Sequence, residues 1–250
     1  TIDACISNAC VSAPLIVVDG ILEDPDTTCI NGNIQLGASV FSRAPINQYE
    51  FSTGTGAALA PMTFPTFLVY AMNDNDPTPS PVPIGFTFPF NGTQFSHFSA
   101  SPDGWIQLGM RTAAAEPTNN VVSAVNLPKI YPYWDDLFPG SFFTGGPNDF
   151  GGVNSVLSGT APRRILHVEW FVNIPRTNLA PNSRFQLWLH ENGVIEFRYG
   201  TMGTATLSAS IGMTGSASVF QSVSLATNTV STSTPNNANT GQPASGRFYR

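Results

Sequence analysis

Residues 184–200 read RFQLWLHENGVIEFRYG, and this stretch decides the fold. In its first half Phe185, Leu187 and Leu189 share one face of an extended chain, and Gln186, Trp188 and His190 share the other. In its second half Ile195, Phe197 and Tyr199 alternate with Val194, Glu196 and Arg198. Successive side chains of a strand point to opposite faces, so each half predicts a strand with one buried face. Glu191-Asn192-Gly193 separates them, and an Asn-Gly pair predicts a type I′ hairpin turn.

The same period extends upstream. Leu166, Val168, Trp170 and Val172 alternate with Ile165, His167, Glu169 and Phe171. Both sets are largely apolar, which predicts a central strand. Residues 205–213 and 218–225 predict two more strands. Residues 14–22 (PLIVVDGIL) and 33–41 (NIQLGASVF) predict two near the N-terminus. The strand at 14–22 is expected to add to a sheet edge, of its own domain or of a neighbouring subunit. Residues 73–83 read as a Pro/Asp-rich connector, 140–161 as a Gly-rich surface loop, and 229–246 as an irregular excursion before a last strand at 247–250. With 22 Gly and 21 Pro spread over 250 residues, no window sustains a helical period. The expectation is an all-β chain: an antiparallel, jelly-roll-like sandwich over 46–250, preceded by a Cys-containing β arm over 1–45.

Composition narrows function. Charged residues are 10% of the chain, lysine occurs once (Lys129), and the formal charge is −6. Such a surface cannot neutralise phosphates, so nucleic-acid binding is excluded. No run of about 18 apolar residues exists, so no membrane insertion by a helix is expected. The chain starts at Thr1 with no basic segment before an apolar one, so a signal peptide is either removed or lies outside this sequence. Low lysine and abundant Ser, Thr, Asn and Gly point to an extracellular, cell-surface setting. Cys5, Cys10 and Cys29 all lie in the first 30 residues. An odd count allows one disulfide, Cys10–Cys29 or one that uses Cys5, and spacing leaves the pairing open.

Candidate sites are few. Asp135 and Asp136 are adjacent carboxylates that, with loop oxygens, suit Ca²⁺, and no other cofactor is expected; the alternative is backbone capping. Asp74 and Asp76 are a weaker pair. Glu169 and Glu196 lie on strands that could be neighbours, as a glycosidase's two carboxylates must, but surface charges paired with Arg198 or Arg164 explain them better. His97, His167 and His190 form no triad or metal pattern, and no enzymatic activity is expected. Trp188 and Trp105 are candidates for a sugar-stacking surface. Asn91-Gly92-Thr93 is an intact glycosylation sequon and also a turn signal.

Landmarks in order along the chain carry a resemblance. They are Tyr49-Glu50-Phe51; Pro83-Ile84-Gly85-Phe86-Thr87-Phe88; Phe90-Asn91-Gly92-Thr93; Ser101-Pro102-Asp103-Gly104-Trp105-Ile106; Pro132-Tyr133-Trp134-Asp135-Asp136-Leu137; Arg164–Trp170; Phe185–Tyr199; Ala209-Ser210-Ile211-Gly212; and Pro243–Tyr249. From Tyr49 to Tyr249 the chain resembles a β-sandwich module of large secreted bacterial surface proteins, many of them type IX secretion cargo. The Pro-Asp-Gly at 102–104 departs from the Asn-Gly usual in that module. The resemblance implies a non-catalytic structural or adhesive unit, one that self-assembles into a fibre, sheath or layer or joins other cell-surface proteins. The second expectation is a carbohydrate-binding module of an exported enzyme, with glycans as partners.

Overall fold

A computed structural model describes residues 2–6, 9–13, 17–22, 37–41, 44–70, 73–140, 151–177, 180–204 and 208–250, with backbone alone described before residue 44. The arm holds two hairpins: β1 (Ile2–Ile6) with β2 (Ala9–Ala13), and β3 (Val17–Leu22) with β4 (Gly37–Phe41). Among the described residues, the strand predicted at 14–22 does not add to an edge of its own sandwich. It pairs with the 37–41 segment, Val17 opposite Phe41 and Val18 opposite Val40. Cys5 and Cys10 face each other in register across β1 and β2. Cys29, and with it the Cys10–Cys29 pairing, lies outside the described residues.

After a single 3-10 turn at Ile46–Gln48 the chain forms β5 (Thr53–Gly54), β6 (Thr66–Tyr70), β7 (Val82–Phe90), β8 (Thr93–Ser101), β9 (Trp105–Leu108) and β10 (Lys129–Trp134). There follow β11 (Gly152–Ser158), β12 (Ile165–Val172), β13 (Ser183–His190), β14 (Ile195–Tyr199), β15 (Ser210–Ser216), β16 (Val219–Ser224), β17 (Thr229–Ser231) and β18 (Phe248–Tyr249). They make two seven-stranded antiparallel sheets. One runs β17-β16-β15-β10-β9-β8-β7 and the other β5-β18-β14-β13-β12-β11-β6. The inner faces meet in one apolar core: Ile84, Phe88, Phe90, Phe98, Ile106 and Tyr133 from the first sheet meet Leu166, Trp170, Phe185, Leu187, Phe197 and Tyr199 from the second. The protein is an all-β sandwich.

The apolar sets predicted for β13 and β14 join the core, and β12, read as a central strand, adds Leu166, Val168, Trp170 and Val172 to it; His167, Glu169, Gln186 and Glu196 on the opposite face are buried as well. The loop expected at 140–161 is half wrong: Gly152–Ser158 is β11, paired on both sides by β12 and β6. Its flanking glycines hide a short alternating run. Gly151 is required there because a Cβ would lie 1.4 Å from the Pro139 carbonyl oxygen.

The turn types also differ from expectation. Leu189 pairs with Ile195, and His190 N–H bonds the Val194 oxygen at 2.9 Å, so three residues close the β13–β14 hairpin. Gly193 takes φ 90° and donates to the His190 oxygen at 2.8 Å, while Asn192 keeps a negative φ. This is the three-residue loop with a left-handed glycine; the extra Glu191 rules out type I′. The two-residue turn with both φ positive is instead Asn91-Gly92 (48° and 76°), which joins β7 to β8. Gly193→Ala should cost about 1 kcal/mol in urea unfolding from its positive φ, and more if Pro89 Cγ, 3.0 Å from the new Cβ, cannot shift.

Candidate functional site

Two surfaces of the β5-to-β6 sheet carry the side chains that point away from the core. On β12–β14, Trp188 is half-buried. The Arg198 guanidinium carbon lies 3.4 Å over its ring, the His167 ring meets it edge-on at 4.5 Å, and its Nε1 donates to Gln186 Oε1 at 2.8 Å. Gln186 also accepts from Ala60 N–H and donates to the Ala60 oxygen, pinning the 57–60 segment across this face.

Glu169 and Glu196 stand on β12 and β14, on either side of β13. Each has its own arginine: Arg184 at 2.8 Å from Glu169, Arg198 at 2.7 Å from Glu196. Burial raises the Glu169 carboxyl against its bonds from Gln186 and Arg184. Burial also raises Glu196, but His190 and Arg198 outweigh it and hold that carboxyl at about 2. Burial, aided by His190 and Arg198, lowers His167 to about 4, so the ring is neutral. Its Nε2 lies 2.7 Å from Ser158 Oγ. This is a packed network of charge pairs.

Trp105 is corrected as a sugar-stacking residue. It is fully buried beneath the 109–128 segment, on the outer face of the other sheet, and offers no ring face to solvent. Asp135 accepts the N–H groups of Asp136 and Ser208, and Asp136 is paired to Arg176, which also holds Asp74 at 2.6 Å. Among the described residues no group of three His, Cys, Asp or Glu is placed to hold a metal ion. Asn91 is part of the fold around its turn: Oδ1 accepts the Ile46 N–H at 3.2 Å, and its N–H donates to Tyr49 Oη at 2.9 Å. A cleft of about 590 Å³ opens beside it between the sheets, lined by Tyr49, Phe51, Pro89, Val194, Met213 and Gln221.

The second surface is the edge at β6. Among the described residues no strand lies beyond it. Phe64 is 96% exposed, Tyr70 67% and Phe67 52%, and the Phe67 and Tyr70 rings stack at 5.7 Å with 14° between planes. Isolated exposed apolar residues are ordinary, but three aromatics in seven residues on an open edge form a patch. Sequence reasoning missed it, although Phe64-Pro65-Thr66-Phe67 sets two aromatics around a proline just before the strand.

The NIDO-related family model matches residues 48–250, from the 3-10 turn to the final residue. The chain belongs to the NIDO-related family. No curated protein and no solved structure matches it. The NIDO-related match covers β5 to β18, both sheets and both surfaces, and leaves β1–β4 outside. NIDO-related domains are typically extracellular, and among the described residues no helix is long and apolar enough to cross a membrane.

Proposed function

We propose that this NIDO-related chain is a non-catalytic structural or adhesive module of a secreted bacterial cell-surface protein, of the kind exported by type IX secretion. It acts by adding a partner strand to the open edge of β6. The observation that carries the reading is the stacked Phe67–Tyr70 pair on that edge. Backbone donors and acceptors along an edge provide affinity for an extended segment, and alternate side chains provide the apolar contact. Trp188 favours this over a glycan-binding role, because Arg198 already covers its ring.

The test is the native assembly state, by light scattering after gel filtration and by negative-stain electron microscopy. The expected result is concentration-dependent association into regular assemblies, weakened at least tenfold in Phe67→Ser/Tyr70→Ser. A wild-type chain that stays monomeric at every concentration overturns the self-assembly reading. Glycan-dependent tryptophan fluorescence in that monomer would replace it with the carbohydrate-binding one.

A further inference from the structure

The one lysine of the chain is 1% exposed. A lysine kept for solubility or surface charge belongs in water, and burying an ammonium costs several kcal/mol unless it is closely paired. Lys129 opens β10 on the outer face of its sheet, beneath the 109–128 segment. Its Nζ lies 3.9 Å from the Trp134 ring centre and 5.1 Å from that of Trp105. The Glu116 carboxylate meets it at 2.5 Å through Oε2.

That same oxygen accepts a second hydrogen bond. Asn126 Nδ2 donates to Glu116 Oε2 at 2.9 Å. Asn126 is itself fixed: its Oδ1 accepts the Ala114 N–H at 2.8 Å and its Nδ2 donates to the Ala114 oxygen at 2.9 Å. Glu116 is fixed too. Ser123 Oγ donates to Oε1 at 2.5 Å, and the indole N–H groups of Trp134 and Trp105 donate to its main-chain oxygen at 3.0 and 3.3 Å. An amine beneath two indole rings, a carboxamide and a carboxylate that hydrogen-bonds both are held together.

We propose that Lys129 and Asn126 join in an intramolecular amide bond, with Glu116 as the proton carrier. Glu116 takes a proton from the ammonium, and the free amine Nζ attacks Asn126 Cγ. Charge collects on Oδ1, where the Ala114 N–H stabilises it. Glu116 passes the proton to Nδ2, the Cγ–Nδ2 bond breaks and ammonia leaves. The second proton that Nζ gives up goes with it as ammonium, so a Cγ–Nζ amide bearing one hydrogen remains and Glu116 is again a carboxylate. No oxidant, metal or cofactor enters the balance. Burial favours the reactive form, since it lowers the Lys129 ammonium to about 8 against the pull of Glu116. The step occurs once per chain, and it stands on this geometry whether or not the protein assembles.

Because lysine occurs once, the endoproteinase Lys-C has one site in the chain, after Lys129. The wild-type chain, purified folded and then denatured, is read by intact mass and by Lys-C digestion. The expected mass is short of the sequence mass by one ammonia, and the chain stays in one piece because an acylated lysine is not recognised. Glu116→Gln should restore the full mass and the cut. A wild-type chain at full mass that is cut in two overturns the proposal. So does loss of one water, which would place the amide on Glu116. Loss of ammonia with the cut intact also overturns it, since that is succinimide formation at an Asn-Gly turn. The wild-type result decides alone, so a variant that fails to fold does not blunt the test.

Discussion

Trp170→Ala should destabilise the sandwich by about 3–5 kcal/mol, the usual cost of emptying a large aromatic site in a core. Trp170 is fully buried in β12 and stacks on Phe185 of β13 at 5.4 Å with 8° between planes. Its Nε1 donates to the Ser101 carbonyl oxygen at 2.8 Å, so the indole also ties the second sheet to the end of β8. Truncation therefore opens a cavity and strips a buried carbonyl of a partner. For a domain of this size the melting temperature should fall by about 10 °C or more, measured by calorimetry. Trp188→Ala, one strand away but on the solvent side, should cost less than half as much. Equal losses at the two positions would mean that the outer-face network around Arg198 is as tightly packed as the core.

The contrast between these two tryptophans was legible before any coordinates. Alternation along 165–172 and 184–199 put Trp170 with Leu166, Val168 and Val172, and Trp188 with Gln186 and His190. Period-2 patterning works here because β12, β13 and β14 lie mid-sheet in unbroken register. It fails where the register breaks. A bulge between Tyr131 and Trp134 turns Tyr133 into the core and leaves Lys129, Tyr131 and Trp134 on the outer face. No alternation count places these four side chains. It fails again where a segment without period covers a face. Residues 109–128 bury Trp105 and bring Glu116 and Asn126 to Lys129, and nothing in their spacing announces this. Lys129 was visible only as a compositional oddity. The exposed aromatics of β6 went unread because an edge strand and a core strand share the same residue preferences.

The corner that receives Trp170 also carries the clearest pH signature. Asp103, in the Ser101-Pro102-Asp103-Gly104 turn, is fully buried. Its Oδ1 accepts the Leu137 N–H and its Oδ2 accepts the Ser101 hydroxyl, each at 3.2 Å. Gly104 beside it takes φ 82° and leaves no room for a side chain, since a Cβ would lie 1.8 Å from the Tyr133 oxygen. The turn is thus wedged against β10 and Asp103 cannot move out to water. Burial raises its carboxyl to about 8 in spite of the Leu137 and Ser101 bonds, and the charges of Asp136 and Asp74 add to the rise.

An unfolded chain loses that proton near pH 4, at the ordinary aspartate value of about 3.9. Between these two values the folded state holds a proton that the unfolded state lacks. Stability is therefore fully present below about pH 4 and falls as pH rises toward 8. Each unit between the two corresponds to about 1.4 kcal/mol, so the fall is several kcal/mol. Asp103→Asn keeps the acceptor for Leu137 and has no proton to lose. Its stability relative to the wild type should climb steadily from pH 4 to pH 8, as measured by urea unfolding of both chains in parallel buffers. His167, Glu169 and Asp135 also titrate, but they are common to both chains and drop out of the difference. A difference that stays flat across that range would mean Asp103 is ionised in the folded protein, with water or a cation at the turn meeting its charge.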